Sequence, residues 1–472
     1  MPAAEVIRSA VAGLQVVEQE LLLFAAFWFI AGALDDIGVD LCWVWLKLTG
    51  RAPTQRLAAG DEAVPLRGRA AVFIAAWHEA EVIGHTIRHA LAAWRQRDFV
   101  LYIGCYCNDA ATIAAAARAA GSDPRVRIVV GDRPGPTTKA DCLNRVYAAL
   151  CADEARTGVR YRAIVLHDAE DMVHRAELAV ADKGLDEADF VQLPVRPEPQ
   201  PHSPWIAGHY SDEFTESHAK ALVVRDALGA AIPAAGVGCA FRREMISRIA
   251  ELRRREGGSG PFAAECLTED YELGVLVWRE GGKSRFLRVR DHAGGLVATR
   301  AYFPATLDDS VRQKARWIHG IAFQGWDRLG WGAGVADLWM ALRDRRGPLT
   351  AIVLACGYLL VLIEGLLGLA QLLGIQRERV TAPGLRWVLL FCFATLVWRC
   401  AARFAFTAHE YGLVEGVNAV MRIPVANLIA IFAGRRALAS YVRGLCGARV
   451  HWEKTAHADH PAMLVQARSL AL

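Results

Sequence analysis

Residues Tyr161 to Met172 read YRAIVLHDAEDM, and the rest of the chain is understood outward from them. Ala163 to Leu166 is a short apolar run, partly β-branched, as a buried strand requires. It stops at His167, and three carboxylates follow at once: Asp168, Glu170 and Asp171. Clustered acids repel one another unless a positive charge lies between them, and a divalent cation with oxygen ligands is the common solution. The alternative is an acidic turn that caps the following helix.

Upstream and downstream, strand-like and helix-like stretches alternate. Ala70–Ala76, Phe99–Cys105, Val126–Val130 and Phe190–Leu193 read as further strands. Between them lie helical patterns: Ile83, Ile87, Leu91 and Trp94 at helical spacing, an alanine-rich run to about Ala120, and a helix starting near Lys139 after the turn GDRPGPTT. Such alternation predicts an α/β domain with a mainly parallel sheet. In these sheets ligands bind beyond the carboxyl ends of the strands. That rule selects His78 and Glu79 after the first strand, Asp109 after the second, and Asp168, Glu170 and Asp171 after the central one. Asp109 also has the position of a helix cap. Residues 196–204, with Pro197, Pro199, Pro201 and Pro204, read as a loop. Ala234–Arg243 (AAGVGCAFRR) carries Gly236 and Gly238, suited to close backbone approach or to a tight turn. In LTED, Thr268 is a candidate cap for the helix that follows. The basic stretch around RQKARW places Val311, Ala315, Ile318, Ala322 and Trp326 on one side, as a helix on a membrane surface does.

Composition bounds the function. A formal charge of +4 is too small for nucleic-acid binding, while 54% apolar residues and a positive mean hydropathy exceed what an ordinary soluble enzyme carries. The excess lies at the two ends. Leu21–Leu48 is apolar apart from Asp35, Asp36, Asp40 and Lys47, and is long enough for a hydrocarbon layer of ~30 Å. Leu349–Leu373, with Glu364, and Leu385 to about Phe406 form two more such runs, joined by a short link and so expected as an antiparallel hairpin. Tyr411–Ala433, with Glu415, Arg422 and Pro424, reads as a broken span, a re-entrant pair or an interfacial helix. Arg8 alone faces Glu5, Glu18 and Glu20 before the first run, whereas Lys47, Arg51, Arg56, Arg67 and Arg69 follow it, so the positive-inside rule puts the α/β domain in the cytoplasm. The basic tail, with Arg435, Arg436, Arg443, Arg449 and Lys454 against Glu453, argues for the same side. The N-terminal charge pattern is wrong for a secretory signal, and the eleven cysteines show no disulfide framework. Intramembrane charges mark either a transport path or structural pairs between helices. The expected division is a membrane helix at 1–50, an α/β domain at 51–300, interface helices at 301–345, membrane or re-entrant helices at 346–435 and a cytosolic tail at 436–472.

The ordered set AAWHEAEVI, CND, GPTTKADCLN, HDAED, GVGCAF, TED and QKARW resembles the family 2 processive glycosyltransferases, which include cellulose, chitin and hyaluronan synthases. Within them it is most similar to the NfrB type, known as phage adsorption protein B. The resemblance covers about residues 15–460. It implies a GT-A fold, Rossmann-like, that takes a UDP-sugar donor, a polysaccharide acceptor and Mg2+ or Mn2+ in a bacterial inner membrane, with an outer-membrane export partner. Carried over position by position, it assigns Glu79, Asp109, Lys139, Asp168, Gln313 and Arg316 to the nucleotide sugar. Asp168 and Glu170, with Asp171 as substitute, go to the metal. Asp270 becomes the catalytic base beside Glu269, with Arg316 and Trp317 also at the reacting groups. Gly238, Cys239 and Trp317 go to the acceptor. Two departures stand out: His78 where an asparagine often precedes the glutamate, and an end near residue 472 where longer members continue into a cyclic-dinucleotide-binding domain. Besides processive, inverting synthesis of an exopolysaccharide, transfer of a single sugar to a lipid carrier and a scaffold or phage-receptor role with vestigial catalysis are the alternatives.

Overall fold

A computed structural model describes residues 2–332, 334–375, 383–447 and 459–463. Among these residues the strands are β1 (Gln55–Arg56), β2 (Arg69–Ala75), β3 (Phe99–Tyr106), β4 (Val126–Gly131), β5 (Tyr161–Asp168), β6 (Phe190–Gln192), β7 (Val195–Pro197), β8 (Cys239–Arg242), β9 (Ser284–Phe286), β10 (Val289–Arg290) and β11 (Thr299–Ala301). Seven of them form one sheet in the order β4-β3-β2-β5-β8-β6-β9. β2, β3, β4 and β5 run parallel, as the alternating sequence pattern requires, and β8 enters antiparallel between β5 and β6. The mixed sheet is flanked by helices on both faces, consistent with a GT-A-like domain.

Both faces of the sheet are packed. Val72, Ile74, Leu101, Ile103 and Val165 point into one apolar cluster; Phe73, Tyr102, Ile164, Leu166 and Phe241 point into the other. Successive residues of a strand face opposite sides, so a strand buried on both faces reads as a continuous apolar run rather than an alternating one.

Two local readings change. The proline-rich stretch after residue 195 begins as strand β7, which pairs with β11 in a separate two-stranded ribbon. AAGVGCAFRR is not only a turn: Cys239–Arg242 is the antiparallel strand, too short and too glycine-flanked to show as one. All eleven cysteines are free thiols.

Among the described residues, four helices are long and apolar enough to cross a membrane: Glu5–Leu48, Gly347–Leu372, Pro383–Tyr411 and Ile423–Leu445. The first belongs to a helix that starts at Pro2. The stretch expected as broken or re-entrant is a short helix, Leu413–Met421, followed by the long one, with Pro424 in the first turn where its missing N–H costs nothing. That long helix crosses residue 435, where a division was expected. Residues 376–382, within the link of the expected hairpin, lie outside the described residues, as do Arg449, Glu453 and Lys454 of the basic tail.

The N-terminal helix lies between the two runs expected to form a hairpin. Asp36 pairs with Arg399 and Trp43 meets Phe406 edge-on, so this helix runs parallel to Pro383–Tyr411. Phe29 lies beside Gly357 while Asp35 binds Arg343, so it runs antiparallel to Gly347–Leu372. The two later helices are therefore antiparallel to each other.

The buried charges of these helices are paired. Asp35 accepts from Trp339 Nε1 at 2.6 Å and from Arg343; Asp36 takes Arg343, Arg346 and Arg399; Asp40 takes Lys220 at 2.5 Å and Trp398 Nε1 at 2.6 Å. Arg422, 1% exposed, holds Asp212 at 2.8 Å and also Glu415. Of the two readings of the intramembrane charges, these side chains follow the structural one.

Candidate active site

The candidate residues gather at the carboxyl ends of β2, β3 and β5. After β2 the chain turns through His78, whose φ of 53° is the left-handed conformation that non-glycine residues rarely adopt. Asp109 braces this turn: its Oδ2 accepts the His78 N–H at 2.7 Å, and its Oδ1 accepts the Thr112 N–H at 3.2 Å as cap of the helix Ala110–Ala120. Thr112 Oγ1 in turn accepts the Glu79 N–H at 2.9 Å. Burial raises the Asp109 carboxyl, but the hydrogen bonds from Thr112 and His78 outweigh it and leave Asp109 below the usual carboxylate range. Asp109 is thus the helix cap that its position suggested, and the cap also shapes the turn at His78. Glu79 is buried beside it.

Two further rim residues were not singled out in the sequence. Asn108 clamps the turn before Lys139, accepting from the Gly135 N–H at 2.7 Å and donating to the Gly135 carbonyl at 2.9 Å. Trp77 stands edge-on to Tyr106 at 4.9 Å, and a Cβ on Gly135 would come 2.6 Å from its ring. Only glycine fits there. The CND triplet could have flagged Asn108; nothing in the sequence pointed to Trp77.

Lys139 opens the helix Lys139–Thr157, capped by Thr138, whose side chain accepts the Asp141 N–H at 3.2 Å. Its ammonium bonds Asp168 Oδ1 directly. Burial lowers the lysine's basicity, but Asp168, Glu269 and Asp270 together hold it well above the usual range. Lys139, Asp168, Glu269 and Asp270 thus form one electrostatic unit, although 131 positions separate the lysine from Asp270.

Glu269 and Asp270 occupy the first turn of the helix Glu269–Arg279. Burial first, then the neighbouring Asp270, pushes Glu269 up to about 7. Burial also raises Asp270, against the pull of Lys139. The expected capping role of Thr268 is absent: its side chain makes no cap hydrogen bond and packs on Gly320, where a Cβ would come 2.3 Å from Oγ1. Gly236 is the complementary case, with φ 77° and room for a Cβ only 2.4 Å from Asp270 Oδ2. Gly238 packs on Thr299 in the same way, and Cys239 is fully buried on β8, its thiol pushed up by burial and by Asp270.

Q-x-x-R-W lies on the helix Leu307–Ile318, which packs against Ile423–Leu445. It continues into a π-helical turn, His319–Gln324. Gln324 ties that turn to the acidic loop by accepting the Leu267 N–H at 2.9 Å. This contact helps bring Arg316 into the field of Glu269 and Asp270. Arg316 makes no ion pair among the described residues. Gln313 Oε1 is buried without a hydrogen-bond partner among them. Trp317 sits among Tyr210, Phe214 and Phe303, with ring centroids 6.1, 6.2 and 6.5 Å away.

The expectation that Asp171 reaches a metal is not met. Its side chain is 1% exposed and points inward, where Oδ2 accepts from His167 Nδ1 at 2.9 Å and from the Asp168 N–H at 2.9 Å. His167 Nε2 also lies 2.8 Å from Glu177, so the ring sits between two buried carboxylates, which pull it up to about 10 against the effect of burial. Position 171 follows the strand end by three residues, and the tight turn sends it back beneath β5. Among the described residues no group of three or more His, Cys, Asp or Glu side chains is arranged as a metal cage. Asp168 and Glu170 remain as hard oxygen donors. Such a pair fits Mg2+ or Mn2+ that completes its shell with substrate phosphates and water, and does not fit a closed protein site.

Residues 68–320, which hold this whole constellation, match the family described as glycosyltransferase like family 2. The chain belongs to that family. It is 32% identical, over 97% of its own length, to bacteriophage adsorption protein B of Escherichia coli K12 and to bacteriophage N4 adsorption protein B of Escherichia coli O157:H7. It spans 64% of the length of these relatives. Among solved structures it is similar to a mannosyltransferase from Pyrobaculum calidifontis, solved with GDP-Man and Mn2+. That similarity is 16% identity, 86% of this chain, 99% of the other and a TM-score of 0.48. Glucosyl-3-phosphoglycerate synthase from Mycobacterium tuberculosis is similar over 60% of this chain and 90% of its own, at 16% identity and a TM-score of 0.35. Family 2 membership and the rim geometry thus concern the same residues.

Proposed function

We propose that this chain is an inverting, processive membrane glycosyltransferase that moves sugar from a UDP-sugar, an N-acetylhexosamine donor among the candidates, onto a growing exopolysaccharide. The observation that carries the reading is the convergence of Lys139, Asp168, Glu269, Asp270 and Arg316 on one edge of the sheet. Two basic groups and three acids from four distant segments meet where parallel sheets bind ligands. That is the equipment for a reaction in which an anion leaves and a hydroxyl loses its proton.

Asp270 takes the proton of the acceptor hydroxyl as it attacks the anomeric carbon. Its raised pKa makes it a stronger base than an exposed carboxylate. Attack from the face opposite the leaving group inverts the anomeric centre. Arg316, with no ion pair among the described residues, offers its fork to the diphosphate, and Lys139 adds a second fixed positive charge. Asp168 and Glu170 would hold Mg2+ or Mn2+, which neutralises charge on the departing diphosphate when bound. The Trp77, Asn108 and Gly135 cluster closes the nucleoside side of the rim, next to Glu79 and Asp109. The acceptor passes Trp317 and its aromatic neighbours toward the apolar helices. The sheet domain faces the cytoplasm, and a partner in the outer membrane receives the product.

UDP release by the detergent-solubilised full chain tests this reading, with a panel of UDP-sugars, Mg2+ or Mn2+, and Asp270→Asn beside the parent. Release from one donor, abolished in the variant, is the expected result. Product sizing then separates a polymer from a single lipid-linked sugar. A folded protein that releases UDP equally well with and without Asp270 would refute it.

A further inference from the structure

A late segment of the chain returns to the acidic loop. Residues 459–463 follow the apolar helices and lie outside the matched stretch 68–320. His460, Pro461 and Ala462 are buried in a row, between exposed Asp459 and Met463. His460 is 1% exposed, and its ring stacks on that of His85 in the helix Ile83–Ala93, with centroids 5.9 Å apart and 22° between the planes. The Met463 N–H closes a turn on the His460 carbonyl at 3.0 Å.

The hydrogen bonds fix the state of this ring. Nδ1 accepts the Ala462 N–H at 3.0 Å, and burial holds the ring down at about 4, so it is neutral and carries its one proton on Nε2. Nε2 lies 3.2 Å from the Asp171 carbonyl oxygen and 3.1 Å from Thr86 Oγ1. Thr86, itself 1% exposed, gives its hydroxyl proton to the Ala169 carbonyl, so it accepts from the imidazole. The bonds therefore run one way: from Nε2–H to the Asp171 carbonyl and the Thr86 hydroxyl, and from that hydroxyl to the Ala169 carbonyl. Ala169 and Asp171 are the two neighbours of Glu170. Both carbonyls that flank a candidate metal donor are thus held by one pair of side chains, while the Asp171 carboxylate holds the Asp168 amide. The histidine that ties this turn comes 289 positions after Asp171.

A buried carbonyl left without a donor is costly, so the turn moves if the donor is removed. Such movement matters here, because a small hard cation demands near-ideal oxygen geometry. We propose that His460 is a positioning residue of the donor site: by holding the backbone of the acidic turn, it sets how Asp168 and Glu170 meet the metal and the diphosphate. The proposal rests on the reading of these two acids as metal donors. His460 touches neither reacting group, so its effect falls on metal binding and not on the chemical step.

The test uses the full chain in detergent and three variants. His460→Ala removes the donor. His460→Gln places an amide N–H about where Nε2 stands. His460→Asn keeps an acceptor near Nδ1 and falls short of Asp171. Backbone hydrogen exchange in a peptide covering 168–172 should speed up about tenfold in the Ala and Asn variants, the weight of one buried hydrogen bond, and slow again in the Gln variant. Exchange in the helix Lys139–Thr157 should not change. Mn2+ binding in the presence of UDP, read from the paramagnetic resonance of free Mn2+, should weaken about tenfold in the Ala and Asn variants and about twofold at most in the Gln variant. Met463→Ala, on a residue 42% exposed in the same segment, should leave both readouts at the parental value. Where His460→Ala fails to fold, the contrast between Asn and Gln decides. Unchanged exchange at 168–172 overturns the proposal. So does faster exchange with parental Mn2+ affinity, which leaves His460 a structural contact alone. A parent that binds no Mn2+ with UDP refutes the donor-site reading and this proposal with it; variants that bind Mn2+ as the parent does refute this proposal alone.

Discussion

Replacing His167 by glutamine is the sharpest test of how the acidic loop is built. The imidazole lies between Asp171 and Glu177, and all three side chains are 1% exposed. Burial lowers His167, but Glu177 and Asp171 overcome this and hold it at about 10 instead of the ordinary 6.5, a preference for the charged ring of roughly 5 kcal/mol. Burial pushes Asp171 up to about 6 against the pull of His167, while Glu177 stays below its usual range, so only part of that preference reaches the folding stability. The net loss in His167→Gln should be about 3 kcal/mol, at the lower edge of what breaking a buried ion pair costs. Glutamine keeps a hydrogen-bond donor, so the loss reports the charge. For a domain of this size it lowers the melting temperature by roughly 6–12 °C.

The pH dependence follows from the raised pKa. His167 contributes stability that is complete below pH 6.5 and is lost as pH rises through about 10. The parent should therefore lose stability between pH 7 and pH 10 through this group, and the variant should not. Thermal unfolding of both proteins in detergent across that range is the assay. A variant within 1 °C of the parent at pH 7, or with the same alkaline slope, would show that the ring is neutral and the triad is not ionic. Asp171 also holds the Asp168 amide, so the variant should bind donor more weakly as well.

Further outcomes are expected at the rim. Glu269, protonated up to about pH 7 against an ordinary 4.5, contributes stability that is full below 4.5 and lost as pH rises through 7. Glu269→Gln should therefore be more stable than the parent at pH 8, by up to about 3 kcal/mol, and no more stable at pH 4, as read from melting temperatures. Chelation should stop UDP release and Mn2+ or Mg2+ should restore it; in Asp168→Asn excess metal should restore little, measured by coupled UDP detection. Arg316→Lys keeps the charge but loses the bidentate fork, so kcat/KM for the donor should fall about tenfold or more in steady-state assays.

The strands β2 to β5 and the helices between them could be read from apolar runs and helical spacing, because each is a local pattern buried on two faces. So could the rim, since a parallel sheet brings the residues after each strand to one edge. The antiparallel β8 was hidden because a short strand beside two glycines has no periodicity to show. The direction of Asp171 was equally hidden, since a carboxylate three residues past a strand end points to the rim or beneath it according to the turn.

The sequence by itself determined the parallel core, the positions of the candidate acids along it, the apolar helices and the family resemblance, because all of these lie in short windows of residue type. Only the tertiary structure decided which charges meet. Lys139 found Asp168 and Asp270, Asp36 found Arg399, and Glu410 found two arginines of the sheet domain. Such pairs join segments far apart in the chain, and a buried charge takes the partner that folding brings to it, not the one nearest in sequence.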